Sequence, residues 1–199
     1  MRAIYVDMDG VLCDFATPAL MAQGLSREAA IKRLNDWPTG LSLASVVTDQ
    51  KTYLSDPGVK ELADDLFWNR IVSMRDEFWD QIESYPWLEL LVSKLNRLSV
   101  PWFICSSPGN NATIAKCKVQ WLHRFFGESF DRFILTHYKH TLACPGSILI
   151  DDDDRQIERF NALGGRGYLF PTPWNSAGAF NPNFFTFIPG LDVLTSVGP

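Results

Sequence analysis

Ala3-Ile4-Tyr5-Val6-Asp7-Met8-Asp9-Gly10 is the stretch from which the rest of the chain can be read: a short apolar run that ends on two carboxylates spaced one residue apart. Four apolar residues bounded by polar ones have the pattern of a buried strand. Similar runs recur at Trp102 to Cys105, Arg132 to Thr136 and Ser147 to Ile150, with Gly167 to Phe170 as a fifth. Helical spacing fills the intervals, first in Leu88, Leu91, Leu95 and Leu98, then in Ile114, Cys117, Trp121, Leu122 and Phe125, and last in Ile157, Phe160 and Leu163 before Gly164-Gly165. Strands alternating with helices predict an α/β fold, a Rossmann-like parallel sheet with helices on both faces.

The first two runs lie some ninety residues apart, far more than one crossover helix needs, and the interval is rich in helix formers and aromatics. Residues 16–87 are therefore expected to form a small inserted helical cap, with 1–15 and 88–199 making up the core domain. Trp37-Pro38-Thr39-Gly40 and Asp56-Pro57-Gly58 should divide the cap into short helices. No internal repeat is present. Pro171 to Asn183, rich in Pro, Gly, Asn and Ser, is expected to be an irregular surface loop.

Ligands of a parallel α/β sheet bind beyond the carboxyl ends of its strands. Directly after the runs come Asp7-Met8-Asp9-Gly10, then Ser106-Ser107-Pro108-Gly109, then His137-Tyr138-Lys139, and then Asp151-Asp152-Asp153-Asp154. Several carboxylates in one place repel one another unless a hard divalent cation neutralises them, and oxygen donors are what Mg2+ prefers. Ser106 or Ser107 and a lysine could donate to the oxygens of a phosphate, while one carboxylate attacks in line and another moves the proton. The strand ends thus point to phosphoryl transfer.

These motifs resemble the haloacid dehalogenase superfamily of phosphatases. Its first motif is similar to Asp7-Met8-Asp9-Gly10-Val11, its second to Phe103-Ile104-Cys105-Ser106-Ser107 and its fourth to Ile150-Asp151-Asp152. Within that group, Asp7-Met8-Asp9-Gly10-Val11-Leu12-Cys13-Asp14-Phe15, the string ending in Pro108, and Lys118-Val119-Gln120-Trp121 with Phe125-Phe126-Gly127 are similar to the 5'(3')-deoxyribonucleotidases. The resemblance covers the core and little of the cap. It implies Asp7 as nucleophile, Asp9 as general acid and base, and Mg2+ held by Asp7, the Asp9 backbone carbonyl and Asp152 with Asp151 nearby. It also implies phosphate contacts from Ser106, Ser107 and Lys139. Either Lys139 or Lys118 supplies the third-motif lysine, the interval from Lys139 to the acid pair being slightly longer than the subfamily's. The substrate implied is a small nucleoside monophosphate, its base stacked on Phe15, Phe78 or Trp79.

Each feature also has a plainer reading. Lys118 falls at the edge of an apolar helix face, where a lysine usually reaches for solvent, its other reading being a second phosphate contact. Asp153 and Asp154 suit a helix N-terminus, and most of the seven tryptophans and fourteen phenylalanines must be core. Trp37, Phe67 and Trp68 are further cap aromatics with a possible place against a base. The three histidines have no ligand spacing, and the four cysteines (Cys13, Cys105, Cys117 and Cys144) form no paired motif.

A net charge of −5 offers no basic stripe for long nucleic acid. No apolar segment nears the roughly 20 residues of a membrane helix, and the first residues lack a signal-peptide pattern, so a cytoplasmic location is expected. Oligomeric state is open, a homodimer being one option. The competing functions are phosphatase action on a phosphosugar, transfer to an acceptor other than water, and a non-catalytic nucleotide-binding module.

Overall fold

The computed structural model describes residues 2–109 and 112–178. Residues 179–199, assigned above to the core and in part to the C-terminal loop, lie outside the described residues. Strands β1 (Ala3–Val6), β2 (Trp102–Ser106), β3 (Phe133–Leu135), β4 (Ser147–Asp151) and β5 (Arg166–Leu169) form one all-parallel sheet in the order β3-β2-β1-β4-β5. The five apolar runs are these five strands, β3 shorter by one residue at each end and β5 starting one residue earlier than expected. The chain winds outward from β1 to β3, then crosses back to add β4 and β5 on the other side of β1. A crevice therefore opens at the carboxyl ends of β1 and β4, where the winding reverses.

Alternation along the strands divides the side chains between two faces. Ile4, Val6, Ile104, Ile148 and Ile150 join the larger buried cluster, together with Leu91 and Leu95 of α6 (Leu88–Arg97) and Ile114, Trp121 and Leu122 of α7 (Ala112–Phe126). Leu149 packs with Ile157 and Phe160 of α8 (Asp154–Ala162), and Tyr5 rests on that second cluster.

Between β1 and α6 lie α1 (Ala16–Ala22), α2 (Arg27–Asn35), a 3-10 turn at Leu43–Val47, α3 (Gln50–Ser55), α4 (Pro57–Met74) and α5 (Asp76–Asp80). The local chemistry sets these boundaries. Ser26 and Asp49 cap α2 and α3 by accepting the Ala29 and Thr52 N–H groups. Asp56 ends α3 and caps α4, accepting from Gly58 and Val59, with Pro57 in the first turn where its missing N–H costs nothing. The start and end of this helical stretch run side by side: Asp14 donates to the Glu83 carbonyl, Tyr85 to that of Leu12, and the Trp87 indole to that of Val11. Ala19 and Leu20 of α1 and Phe67 and Ile71 of α4 belong to the same buried cluster as the sheet residues Ile4 and Val6. Among the described residues no helix is long and apolar enough to cross a membrane.

Candidate active site

Asp7 is the first residue beyond β1, and its N–H donates to the Ile150 carbonyl at 2.8 Å, which ties it to the edge of β4. The following loop is folded tightly: Leu12 and Cys13 both donate to the Met8 carbonyl, and Gly10 donates to that of Cys13. Gly10 has φ +77°, and a Cβ on it would stand 2.2 Å from Asp152 Oδ2. Only glycine fits there, because the backbone is pressed against that carboxylate.

Carboxylate oxygens of Asp7, Asp151 and Asp152 all lie within 4.8 Å of one another. Lys139, in a 3-10 turn at Lys139–Leu142, is buried and reaches Asp7 Oδ1 at 2.6 Å and Asp151 Oδ2 at 2.7 Å. Asp151 also accepts from the Asp153 N–H at 2.9 Å. Burial pushes the carboxyl of Asp7 up to about 7, with Lys139 opposing the rise and Asp151 adding to it. Asp151 and Asp152 are raised as well, chiefly by burial. Burial alone would lower the ammonium of Lys139, but Asp151 and Asp7 hold it above its ordinary value, so it stays charged.

Of the two readings of the second lysine, the solvent-facing one does not hold. Lys118 does not reach solvent; its side chain is only 4% exposed. It pairs with Asp9 Oδ2, donates to Ser106 Oγ at 2.9 Å and sits over the Trp79 ring. α7 packs against α5, and this edge of the helix faces inward, which periodicity alone does not reveal. Lys139 thus meets Asp7 and Asp151, while Lys118 meets Asp9 and Ser106. The Asp9 carboxylate stands outside the three-acid cluster. Ser107 shares a 3.0 Å hydrogen bond with His137 Nδ1 and accepts from the Gly109 N–H.

A cavity of about 500 Å³ lies over these groups, lined by Asp7, Asp9, Ser106, Ser107, Lys139, Asp151 and Asp152 together with Phe67 and Trp68 of α4. Phe15 lines it too, its ring 5.7 Å from that of Trp68. Phe78 and Trp79, expected to stack on a base, do not line it. Both are buried beneath Phe15, with Phe78 edge-on to that ring at 5.4 Å. Trp37 is likewise buried, its indole donating to the Leu41 carbonyl at 2.6 Å. A second wall is polar, with Tyr53 donating to Asp64 at 2.8 Å beside Lys60.

The segment after β5 is irregular as expected, with Ser176 and Ala177 exposed, but it is not wholly at the surface. Within its described part, Asn175 is 2% exposed and Thr172 is buried. The Trp174 indole donates to Asp152 Oδ2 at 2.7 Å, and Asn175 Nδ2 donates to the carbonyls of Asp152 and Phe170. Composition hid these residues, because Pro-x-Pro-x-Asn reads as loop whether or not its side chains turn inward. Asp153 caps α8, accepting from the Arg155 N–H at 2.8 Å. The four cysteines are free. Burial pushes the thiol of Cys105 up to about 12 and that of Cys117 up to about 11, which leaves neither a nucleophile at neutral pH.

The acids Asp7, Asp9, Asp151 and Asp152 face two ammonium groups, Lys139 and Lys118, so with all four carboxyls ionised the site would hold two negative charges in excess. An all-oxygen cluster with that excess fits a hard divalent cation.

No protein-family model matches the sequence, and no curated protein does. Solved structures do. A haloacid dehalogenase-like hydrolase from Streptococcus pneumoniae has a TM-score of 0.55 at 17% identity, with 98% of this chain and 97% of that one covered. A predicted phosphatase from Clostridium acetobutylicum has a TM-score of 0.51 at 15% identity, covering 89% and 87%. A haloacid dehalogenase-superfamily hydrolase from Geobacter sulfurreducens has a TM-score of 0.50 at 15% identity, covering 91% and 92%. At such identities the likeness is one of fold: the chain has the haloacid dehalogenase-like α/β fold.

Proposed function

We propose that the protein is a magnesium-dependent phosphatase acting on nucleoside monophosphates, deoxynucleotides among them, through an aspartyl-phosphate on Asp7. The observation that carries this reading is a single cavity in which a buried carboxylate–lysine cluster faces the exposed ring of Trp68 beside Phe15 and Phe67. The first supplies phosphoryl chemistry, and the second supplies a flat apolar surface of the kind on which a base stacks. The fold neighbours named as phosphatase and hydrolases agree with the first part.

In this reading an Asp7 carboxylate oxygen attacks phosphorus in line as the bond to the nucleoside oxygen breaks, and that oxygen takes a proton from Asp9. Asp9 then removes a proton from water, whose oxygen displaces Asp7 and releases phosphate. Lys139 and Lys118 stand where their ammonium groups can offset charge on the phosphoryl oxygens, and Ser106 adds a hydroxyl donor. A cation held by Asp7, Asp151 and Asp152 would neutralise the excess negative charge and the phosphate together. Covering the cluster with the cap-region aromatics keeps bulk water from the reacting atoms.

The test is phosphate release from deoxynucleoside, ribonucleoside and sugar monophosphates, with magnesium and with chelator. A second reading, a sugar phosphate as substrate, is favoured by the Tyr53, Asp64 and Lys60 wall, which offers hydroxyl-binding groups. Turnover of sugar phosphates alone would select it. Magnesium-dependent nucleotide binding without turnover would establish a binding module instead.

A further inference from the structure

Three consecutive residues after β5 grip the acidic turn that follows β4. The Trp174 indole N–H donates to Asp152 Oδ2 at 2.7 Å. Asn175 Nδ2 donates to the Asp152 carbonyl at 2.9 Å, and its Oδ1 accepts from Thr172 and Ala177, so the amide is fully engaged and fixed. Ser176 binds the carboxylate of Asp154 through its hydroxyl and, at 3.2 Å, through its N–H.

The indole lies against the loop that follows β1. A Cβ on Gly10 would come within 3.2 Å of the Trp174 ring, so the ring is pressed against the nucleophile loop. It also lines two cavities, the one over the acid cluster and a second of about 270 Å³ bounded by Tyr85, Trp87 and Phe170. Ring and N–H together hold one oxygen of Asp152 and fix the rotation of its carboxylate. A hydrogen bond to one oxygen of a metal-ligating carboxylate orients that carboxylate toward the cation it would hold.

We propose that Trp174 is a positioning residue for cation binding: its indole N–H holds Asp152 in the orientation in which this acid serves as a ligand. The inference rests on the cation reading of the acid cluster given above. It differs from a merely structural role, in which the indole fills space and its N–H takes the nearest acceptor.

The discriminating variant is Trp174→Phe, which keeps a ring and removes the donor. Binding of Mn2+ is read directly from the loss of the free-ion electron paramagnetic resonance signal, without turnover, alongside the melting temperature of the metal-free protein. Losing a hydrogen-bonding partner of a metal ligand typically weakens metal binding by about 10- to 100-fold. That loss is expected in Trp174→Phe with little change in metal-free melting, and Trp174→His, which retains a ring N–H, should recover part of it. Equal Mn2+ affinity in wild type and Trp174→Phe would overturn the proposal while leaving the cation reading intact. A wild type that binds no Mn2+ would overturn both. Should Trp174→Phe fail to fold, the assigned Trp174 indole resonance of 15N-labelled wild type carries the test. It must shift as Mg2+ is titrated, and an unmoved resonance amid shifting neighbours overturns the proposal.

Discussion

The ammonium of Lys139 lies 2.6 Å from a carboxylate oxygen of Asp7, both residues being buried. The same ammonium bonds Asp151 at 2.7 Å, so one cation serves two acids. Removing one partner from a buried pair usually costs about 3–5 kcal/mol, because the other charge is left uncompensated. Lys139→Met should show a loss of that order in urea unfolding with chelator present. Its phosphate release should fall by about 100-fold or more, by analogy with loss of one charge-stabilising donor. Lys139→Arg should not restore activity, since a planar fork cannot replace a compact ammonium between two fixed carboxylates.

The raised carboxyl groups set the pH dependence of the metal-free protein. Burial pushes the Asp7 carboxyl up to about 7 from an ordinary value of 3.8, and Asp151 and Asp152 are raised in the same direction. The native state therefore holds protons that the unfolded chain has released, and this contribution lowers stability as pH rises from about 4 to about 7. A divalent cation competes with those protons. The increase in melting temperature on replacing chelator with magnesium should thus grow across that window. An increase independent of pH would separate the raised acids from cation binding.

Trp68 is 45% exposed on the cavity wall, whereas the adjacent Phe67 is 2% exposed. Trp68→Ala should leave the fold nearly as stable while raising KM for nucleotides about 5- to 150-fold, from a stacking contribution of about 1–3 kcal/mol per base. KM for a small non-aromatic phosphate ester should not move. Phe67→Ala should instead destabilise by about 3–5 kcal/mol in denaturant unfolding.

At Gly10 the backbone conformation and the approach of Asp152 both exclude a side chain. Gly10→Ala should abolish phosphate release and weaken Mn2+ binding, because the methyl group must displace the Asp152 carboxylate or the loop that carries Asp9. Retention of wild-type Mn2+ affinity would show that the loop yields without disturbing the acids.

The strands were legible in the sequence because burial on both faces leaves short unbroken apolar runs, and the groups that follow each run inevitably share one edge of the sheet. What period and composition could not give was direction in space. Lys118 sits at a helix edge that could face either way, and only the packing of α7 turns it toward Asp9 and Ser106. Phe78 and Trp79 share with Trp68 the composition of a base-binding surface, yet they lie beneath Phe15 and not on the wall. Trp174 and Asn175 were obscured by the prolines around them, since turn formers describe the path of a backbone and say nothing of its side chains.

The most direct test of the account is phosphate release from deoxynucleoside monophosphates by the wild type and by Asp7→Asn, each with magnesium and with chelator. The account predicts release by the wild type with magnesium only, and none by Asp7→Asn in either condition. Release that persists in Asp7→Asn would contradict a phosphoenzyme formed on Asp7.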